Sequence, residues 1–272
     1  MVLLIGGLFV GCDQQTDNNV TIGYVAWDSE IASTNVLKQV FERAGYDVEI
    51  TAVDAGPLFQ GMADGQFDCT CSAWLPYTHK NFMTEYGDQI VEVRENLVGA
   101  KIGLVVPDYV TINSIEEMND VADNFNNEIT GIEAGAGVMQ ATEDTIEVYD
   151  LDYDLVASSS AGMAAALGKA IDEDKWIAVT GWSPHWKFAR WDLKYLDDPE
   201  GTFGGEEYIA TIARNNLEEE KPEVYELLTK FNWTPDDMHS VMLDIADGMS
   251  EEDAASKWVE ANIDQVNEWI GQ

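Results

Sequence analysis

The sequence predicts an α/β protein of two lobes joined by a pair of extended crossovers. Three observations predict it. Apolar runs of strand length alternate with amphipathic helical stretches from residue 20 to residue 180. Two long extended runs, residues 102–107 and 206–212, separate blocks of this alternation and would pair as a hinge across a cleft. A tryptophan also stands where three predicted strands end, at Trp27, Trp74 and Trp182. In such sheets, ligands bind beyond the carboxyl ends of the strands.

Residues 20–27 alternate as a strand does, and Asp28-Ser29 are placed to cap a helix carrying Ile31, Val36, Leu37, Val40, Phe41 and Ala44. Gly45 closes that helix. A strand at 48–53, a short helix through Met62 and a strand at 67–73 complete a βαβαβ rhythm, that of a parallel sheet with helices on both faces. Pro76 stops the third strand, and His79 opens the next helix. Extended runs follow at 90–93 and 100–106, then a capping-box helix start at Ser114 to Glu117. Strands at 129–133, 155–157 and 176–180 alternate with helices at 138–149 and 162–171. An extended run at 206–214 and three helices at 222–231, 235–247 and 251–270 finish the chain. The division expected is residues 1–19 as signal and tether, 20–105 with 207–272 as one lobe, and 106–206 as the other.

Composition excludes several partners. Fifty-one acidic residues against 14 basic give a net charge of −37 over 272 residues. A surface this negative repels nucleic acid and anionic lipid headgroups, and its even spread suits a folded protein in high salt. The apolar start runs to Phe9-Val10-Gly11-Cys12, which resembles a lipobox, and polar residues 13–19 follow as a tether. Contact with a membrane is therefore expected only through a lipid on Cys12, at the outer face of the cell membrane. Cys69 and Cys71 lie two apart on a strand, face the same way, and are expected as buried free thiols. No metal site and no cofactor are expected.

The chemistry gathers at the strand ends. Three indoles converging on one cleft form an electron-rich box for a cation that cannot donate hydrogen bonds; for a lone tryptophan packing is the favoured reading, and it is the one expected of Trp176, Trp186, Trp191, Trp233, Trp258 and Trp269. Glu133-Ala134-Gly135-Ala136-Gly137-Val138 joins a strand to a helix through glycines, leaving free N–H groups at a positive helix start. It lacks the Gly-Lys-Ser/Thr of a phosphate loop, so a small carboxylate fits it better, with His79 as a further donor; a plain tight turn is the alternative. The histidines are His79, His185 and His239, with no nucleophile elbow or His-Glu-x-x-His pair, and Cys69 or Cys71 would be blunted by acidic, apolar surroundings. Binding without catalysis is the reading favoured.

Five stretches carry a family resemblance: Gly23-Tyr24-Val25-Ala26-Trp27-Asp28-Ser29-Glu30-Ile31-Ala32, Ala73-Trp74-Leu75-Pro76 with Thr78-His79, Gly131-Ile132 through Gly137-Val138-Met139, Thr180-Gly181-Trp182-Ser183-Pro184-His185-Trp186, and Leu193-Lys194-Tyr195-Leu196-Asp197-Asp198-Pro199. Together they resemble the glycine betaine/proline betaine substrate-binding proteins of ABC importers. The resemblance implies a two-lobed periplasmic-binding-protein fold of type II, each lobe built on a central, mostly parallel sheet. It implies that Trp27, Trp74 and Trp182 surround a trimethylammonium group, while the Gly137 and Val138 amides and the His79 side chain hold a carboxylate. A monomer that hands its ligand to a cognate permease for osmoprotection is then expected. A choline or carnitine receptor of the same fold, or an enzyme acting on a quaternary amine, are the alternatives.

Overall fold

A computed structural model describes residues 18–272. Cys12 and the predicted signal lie outside the described residues. The chain opens with β1 (Asn19–Tyr24), α1 (Asp28–Arg43), β2 (Asp47–Ala52), α2 (Ala55–Ala63) and β3 (Cys69–Leu75). The first strand pairs in parallel with β2 and, at Ile22, with β3, as the βαβαβ rhythm requires. Ala32, Val36, Leu37, Val40 and Phe41 form the buried stripe of α1, spaced to keep one helical face on the sheet.

The sheet is more mixed than expected. Next to β3 runs β9 (Glu207–Arg214), antiparallel, and next to β9 runs β4 (Ile90–Pro107), again antiparallel. The further half of β4 pairs with β7 (Ala178–Ser183) and with β8 (Leu193–Tyr195). Beyond β7 lie β5 (Glu128–Thr130) and β6 (Asp154–Val156), both parallel. The order is β2-β1-β3-β9-β4-β7-β5-β6, with β8 beside β4. The antiparallel pairs have one cause: a chain that crosses the sheet and later returns lies alongside itself in opposite directions. The two extended runs read at 90–93 and 100–106 belong to one strand of 18 residues. Three register shifts against β9, between Glu92 and Ala100, break its alternation and hide that continuity in the sequence.

Helices complete the layers. A 3-10 helix, Ile115–Phe125, begins at the Ser114–Glu117 capping box. It is followed by α4 (Gly137–Val148), α5 (Ser160–Asp172) and the short α6 (Lys187–Arg190). After α7 (Leu217–Glu220) come α8 (Pro222–Lys230) and α9 (Pro235–Ala246), the last capped by Thr234. The single helix expected at 251–270 is two, α10 (Glu251–Ala261) and α11 (Ile263–Ile270), divided at Asn262. Phe231, Trp233, Trp258 and Trp269 meet ring to ring beneath these helices. Those three tryptophans are packing, as expected of them. No helix among the described residues is long and apolar enough to cross a membrane.

One buried charge ties the first sheet together. Asp68, just before β3, is 4% exposed. It accepts from the Thr21 amide at 3.0 Å, the Arg214 guanidinium at 3.0 Å and the Lys221 ammonium at 2.9 Å, joining β1, β9 and the approach to α8. Burial alone would raise its pKa, but these donors, Thr21 first and then Lys221, hold the carboxyl below its ordinary value. A depressed carboxyl stabilises the fold above its unfolded pKa, and that contribution is lost as pH falls through the folded value. Asp68→Asn should cost about 1–3 kcal/mol, because it removes a charged acceptor from two cations, although Arg214 keeps Glu220 and Lys221 keeps the Asn19 carbonyl. Urea denaturation at neutral pH reads the loss, and the gap between variant and parent should shrink toward acid.

Candidate ligand-binding site

A small, partly open and nearly all-apolar pocket lies where the two halves of the sheet meet. Its walls leave little free room between them, so its occupant is small. Trp27, Trp74 and Trp182 all line it, as do Gly137 and Val138. Ser29, Thr78, Ile102 and Ile132 are walls that the sequence did not single out.

Each indole is set by its own element. Trp27 is the N-cap residue of α1, with extended backbone and no side-chain cap. The expected capping role of Asp28-Ser29 is therefore corrected: those side chains are engaged elsewhere. Trp74 lies inside β3 and Trp182 inside β7, each one strand position before the residue that precedes a proline. The Trp27 indole N–H donates to Glu133, and the Trp74 N–H donates to Glu30 at 2.7 Å. The Trp182 N–H has no hydrogen-bond partner among the described residues. Glu30 is fully buried, and burial pushes its carboxyl up to about 7 against the hydrogen bonds from Ser29 and Trp74.

His79 is 1% exposed and is not among the residues that line the cavity. Its ring stacks on Trp27, which does line it, with centroids 5.8 Å apart, and meets Phe59 edge-on. Nδ1 accepts the Trp74 amide N–H at 2.9 Å, which assigns the proton to Nε2. That Nε2 has no partner among the described residues. Burial pushes the imidazole pKa down to about 3, so it is a neutral donor at physiological pH. The wall opposite is the start of α4, whose N-cap Ala136 supplies no side-chain bond to the first turn. Gly135 reaches this helix start through a positive φ of 93°, a conformation glycine adopts without strain.

Hydrogen bonds cross from one half of the sheet to the other around the cavity. Besides Trp27–Glu133, Asp28 accepts from Ser160 at 2.6 Å and from the Trp186 indole at 2.6 Å. His185 Nε2 lies 3.5 Å from the same carboxylate. Burial would raise Asp28, but these partners, His185 foremost, hold it well below the carboxylate range. Thr78 is fixed in turn by Glu207, which accepts its amide at 2.7 Å. Sequence reasoning missed Asp28, Glu30, Glu133 and Ser160 as partners of the site, since Asp28 read as a helix cap and no local pattern marks the other three. Cys69 and Cys71 are free and buried, and burial raises the Cys71 thiol to about 11. Among the described residues no group of three His, Cys, Asp or Glu is placed to hold a metal.

Gly137 leaves no room for a side chain. A Cβ there would lie 2.4 Å from the Thr78 carbonyl oxygen, across the cavity mouth. Gly137→Ala should keep the fold, because each half can form without that contact, but hold the halves apart. Small-angle scattering should show an expanded chain, and affinity for a cavity ligand should fall by about tenfold or more, the equivalent of about 1.4 kcal/mol.

Residues 18–261 match the OpuAC family, described as the substrate binding domain of ABC-type glycine betaine transport system. The glycine betaine/carnitine transport binding protein GbuC of Listeria monocytogenes is 46% identical over 162 residues, 58% of this chain and 54% of that protein. The chain thus spans about half the length of that relative. Lactococcal OpuAC, solved closed with glycine betaine, is 50% identical with a TM-score of 0.90, covering 93% of this chain and 99% of that one. A choline binding protein solved with choline is 26% identical with a TM-score of 0.89, covering 94% and 92%. An unliganded, semi-closed choline binding protein fits less well, at 0.83.

Proposed function

Since the chain belongs to the family of substrate-binding domains of ABC-type glycine betaine transport systems, we propose that it captures glycine betaine between its two halves and presents it to a permease. Its fold is the type II periplasmic-binding-protein fold, and members of the family are transport receptors, not enzymes. The observation that carries the proposal is the lining of one small cavity: three indoles on its walls and an uncapped helix start among them.

The zwitterion matches this lining end to end. A trimethylammonium group offers no hydrogen bond, so it loses little on leaving water for apolar walls, and each aromatic face adds about 0.5–2 kcal/mol. Trp27, Trp74 and Trp182 supply those faces. The carboxylate would accept from the Gly137 and Val138 amides, where the helix dipole favours negative charge, and from His79 Nε2. A neutral histidine suits this role, since no charge has to be desolvated with the ligand. In this reading residues 20–105 with 207–272 form one lobe and residues 106–206 the other, with β4 and β9 as the hinge. Trp27, Trp74 and His79 come from the first lobe, and Gly137, Val138 and Trp182 from the second. A ligand held by both lobes favours the closed form, which the permease reads. The better fit to a liganded, closed relative than to a semi-closed one supports a closed state here. Proline betaine, osmoprotection, a monomeric receptor and anchoring outside the cell by a lipid on Cys12 complete the proposal.

Titration with glycine betaine, followed by tryptophan fluorescence in high salt, tests it. Affinity in the micromolar range, about −8 kcal/mol, is expected; no response at millimolar ligand overturns the reading. Trp74→Ala should weaken binding by at least the cation–π contribution of about 0.5–2 kcal/mol. His79→Ala should cost about 1–3 kcal/mol for a ligand with a carboxylate. The same substitution should leave choline nearly unaffected, so an unchanged glycine betaine affinity would favour a choline receptor instead.

A further inference from the structure

Lys187 opens α6 and is fully buried. Its Nζ has no hydrogen-bond partner among the described residues. It lies 4.4 Å from the centroid of the Trp182 ring and 5.3 Å from that of Phe188. An ammonium tolerates such a position only where something replaces its water, and here the replacement is the face of Trp182. That same ring lines the ligand cavity, whereas Lys187 is not among the lining residues. The three cavity indoles are thus backed unequally. Trp74 and Trp27 donate to the carboxylates of Glu30 and Glu133, which make their faces more negative, while Trp182 is backed by a cation.

We propose that Lys187 is a specificity-determining residue whose proton competes with a cationic ligand for the Trp182 ring, so that a quaternary ammonium entering the cavity expels that proton. The inference rests on the reading of the cavity as a site for such a ligand. Two positive charges against one indole repel each other through a low-dielectric interior. Only one of the two can lose its charge. The ligand's is permanent, so the lysine gives up its proton.

The surroundings leave Lys187 able to do so. Burial lowers its pKa to about 7, opposed by the Asp28 carboxylate on α1. His185, between β7 and α6, is pushed down to about 4 by burial and then by Lys187, so it is neutral here; His239 acts on it from the far side. Tyr195 of β8, stacked behind Phe188 and under Lys101, has its phenol raised by burial and stays neutral. Glu133 is held by the Trp27 N–H, its carboxyl raised by burial. Glu30 titrates in the same range as Lys187 but behind Trp74. Losing a proton from either group favours a cation, so affinity should rise with pH through about 7, and the two contributions have to be separated by experiment.

Calorimetric titration of the chain with glycine betaine, in two buffers of different ionisation enthalpy near neutral pH, counts the protons released. Wild type should release a fraction of a proton per ligand bound, with affinity about tenfold weaker a unit below the midpoint than a unit above it. Lys187→Met should remove most of the release and most of the loss of affinity at acid pH, while Glu30→Gln should still release. Carbon-13 NMR of lysine-labelled wild type reads the same event without any substitution: one lysine should titrate near neutrality in the free chain and at lower pH with ligand. Binding without proton release overturns the inference alone. Release that survives Lys187→Met and vanishes in Glu30→Gln also overturns it, assigning the proton to Glu30. A wild type that does not bind glycine betaine overturns the transport reading and this inference with it.

Discussion

The antiparallel pairing of β4 with β9 is the constraint on which the rest of the molecule depends. It is the seam through which both halves of the sheet are continuous, from Ile90 opposite Arg214 to Ala100 opposite Glu207. On one side β9 carries β3 and so Trp74; on the other β4 carries β7 and so Trp182. Two indoles far apart in sequence therefore face one cavity because two strands cross side by side. The seam is also irregular. Its three register shifts break the ladder where the halves meet, at the strands proposed above as the hinge. Glu207, at the end of the seam, holds the Tyr77 and Thr78 amides at 2.9 and 2.7 Å and passes any movement to the cavity wall.

The cavity is apolar at its surface and charged just behind it. Glu30, Glu133, His79 and Lys187 each touch one of the cavity indoles or accept its hydrogen bond, and Asp28 follows Trp27 in the chain. This arrangement separates two tasks. The ligand-facing layer excludes water, which is what makes an aromatic face attractive to a cation. In the layer behind, His79 alone is proposed to donate to a ligand; the carboxylates and Lys187 set the potential at each face without offering it a hydrogen bond. A direct carboxylate in the cavity would attract cations of every kind, including those that donate hydrogen bonds. Acting through an indole N–H, it favours a cation that needs only a surface.

Much of this was legible in the sequence and some was not, for distinct reasons. Trp27, Trp74 and Trp182 stood out because strand ends are places of short-range meaning: the strand pattern stops and an indole follows. Gly137 and Val138 were legible for the same reason, at a glycine-marked helix start. The shape of β4 was not, since its bulges break the alternation that identifies a strand. Nor were the partners of the indoles. Glu30 and Trp74 are 44 residues apart and Trp27 and Glu133 are 106 apart, and no local pattern distinguishes a carboxylate that meets an indole from one that meets solvent. Asp28 was misread for a related reason. Its position suits a helix cap, yet its carboxylate reaches Ser160 and Trp186, partners that exist only once the halves come together.

The net charge of −37 bears on the site less than its size suggests. In molar salt the field of a surface carboxylate decays over about 3 Å, so exposed acids act on their hydration and on little else. Groups that no salt ion can reach are not screened in this way. Glu30, His79 and Lys187 are each 1% exposed or less, and their influence on a ligand passes through protein alone. The zwitterion proposed as ligand would gain from that division, because it has no net charge for a surface field to steer. Its recognition would then depend on buried charge at fixed distance, which salt does not screen.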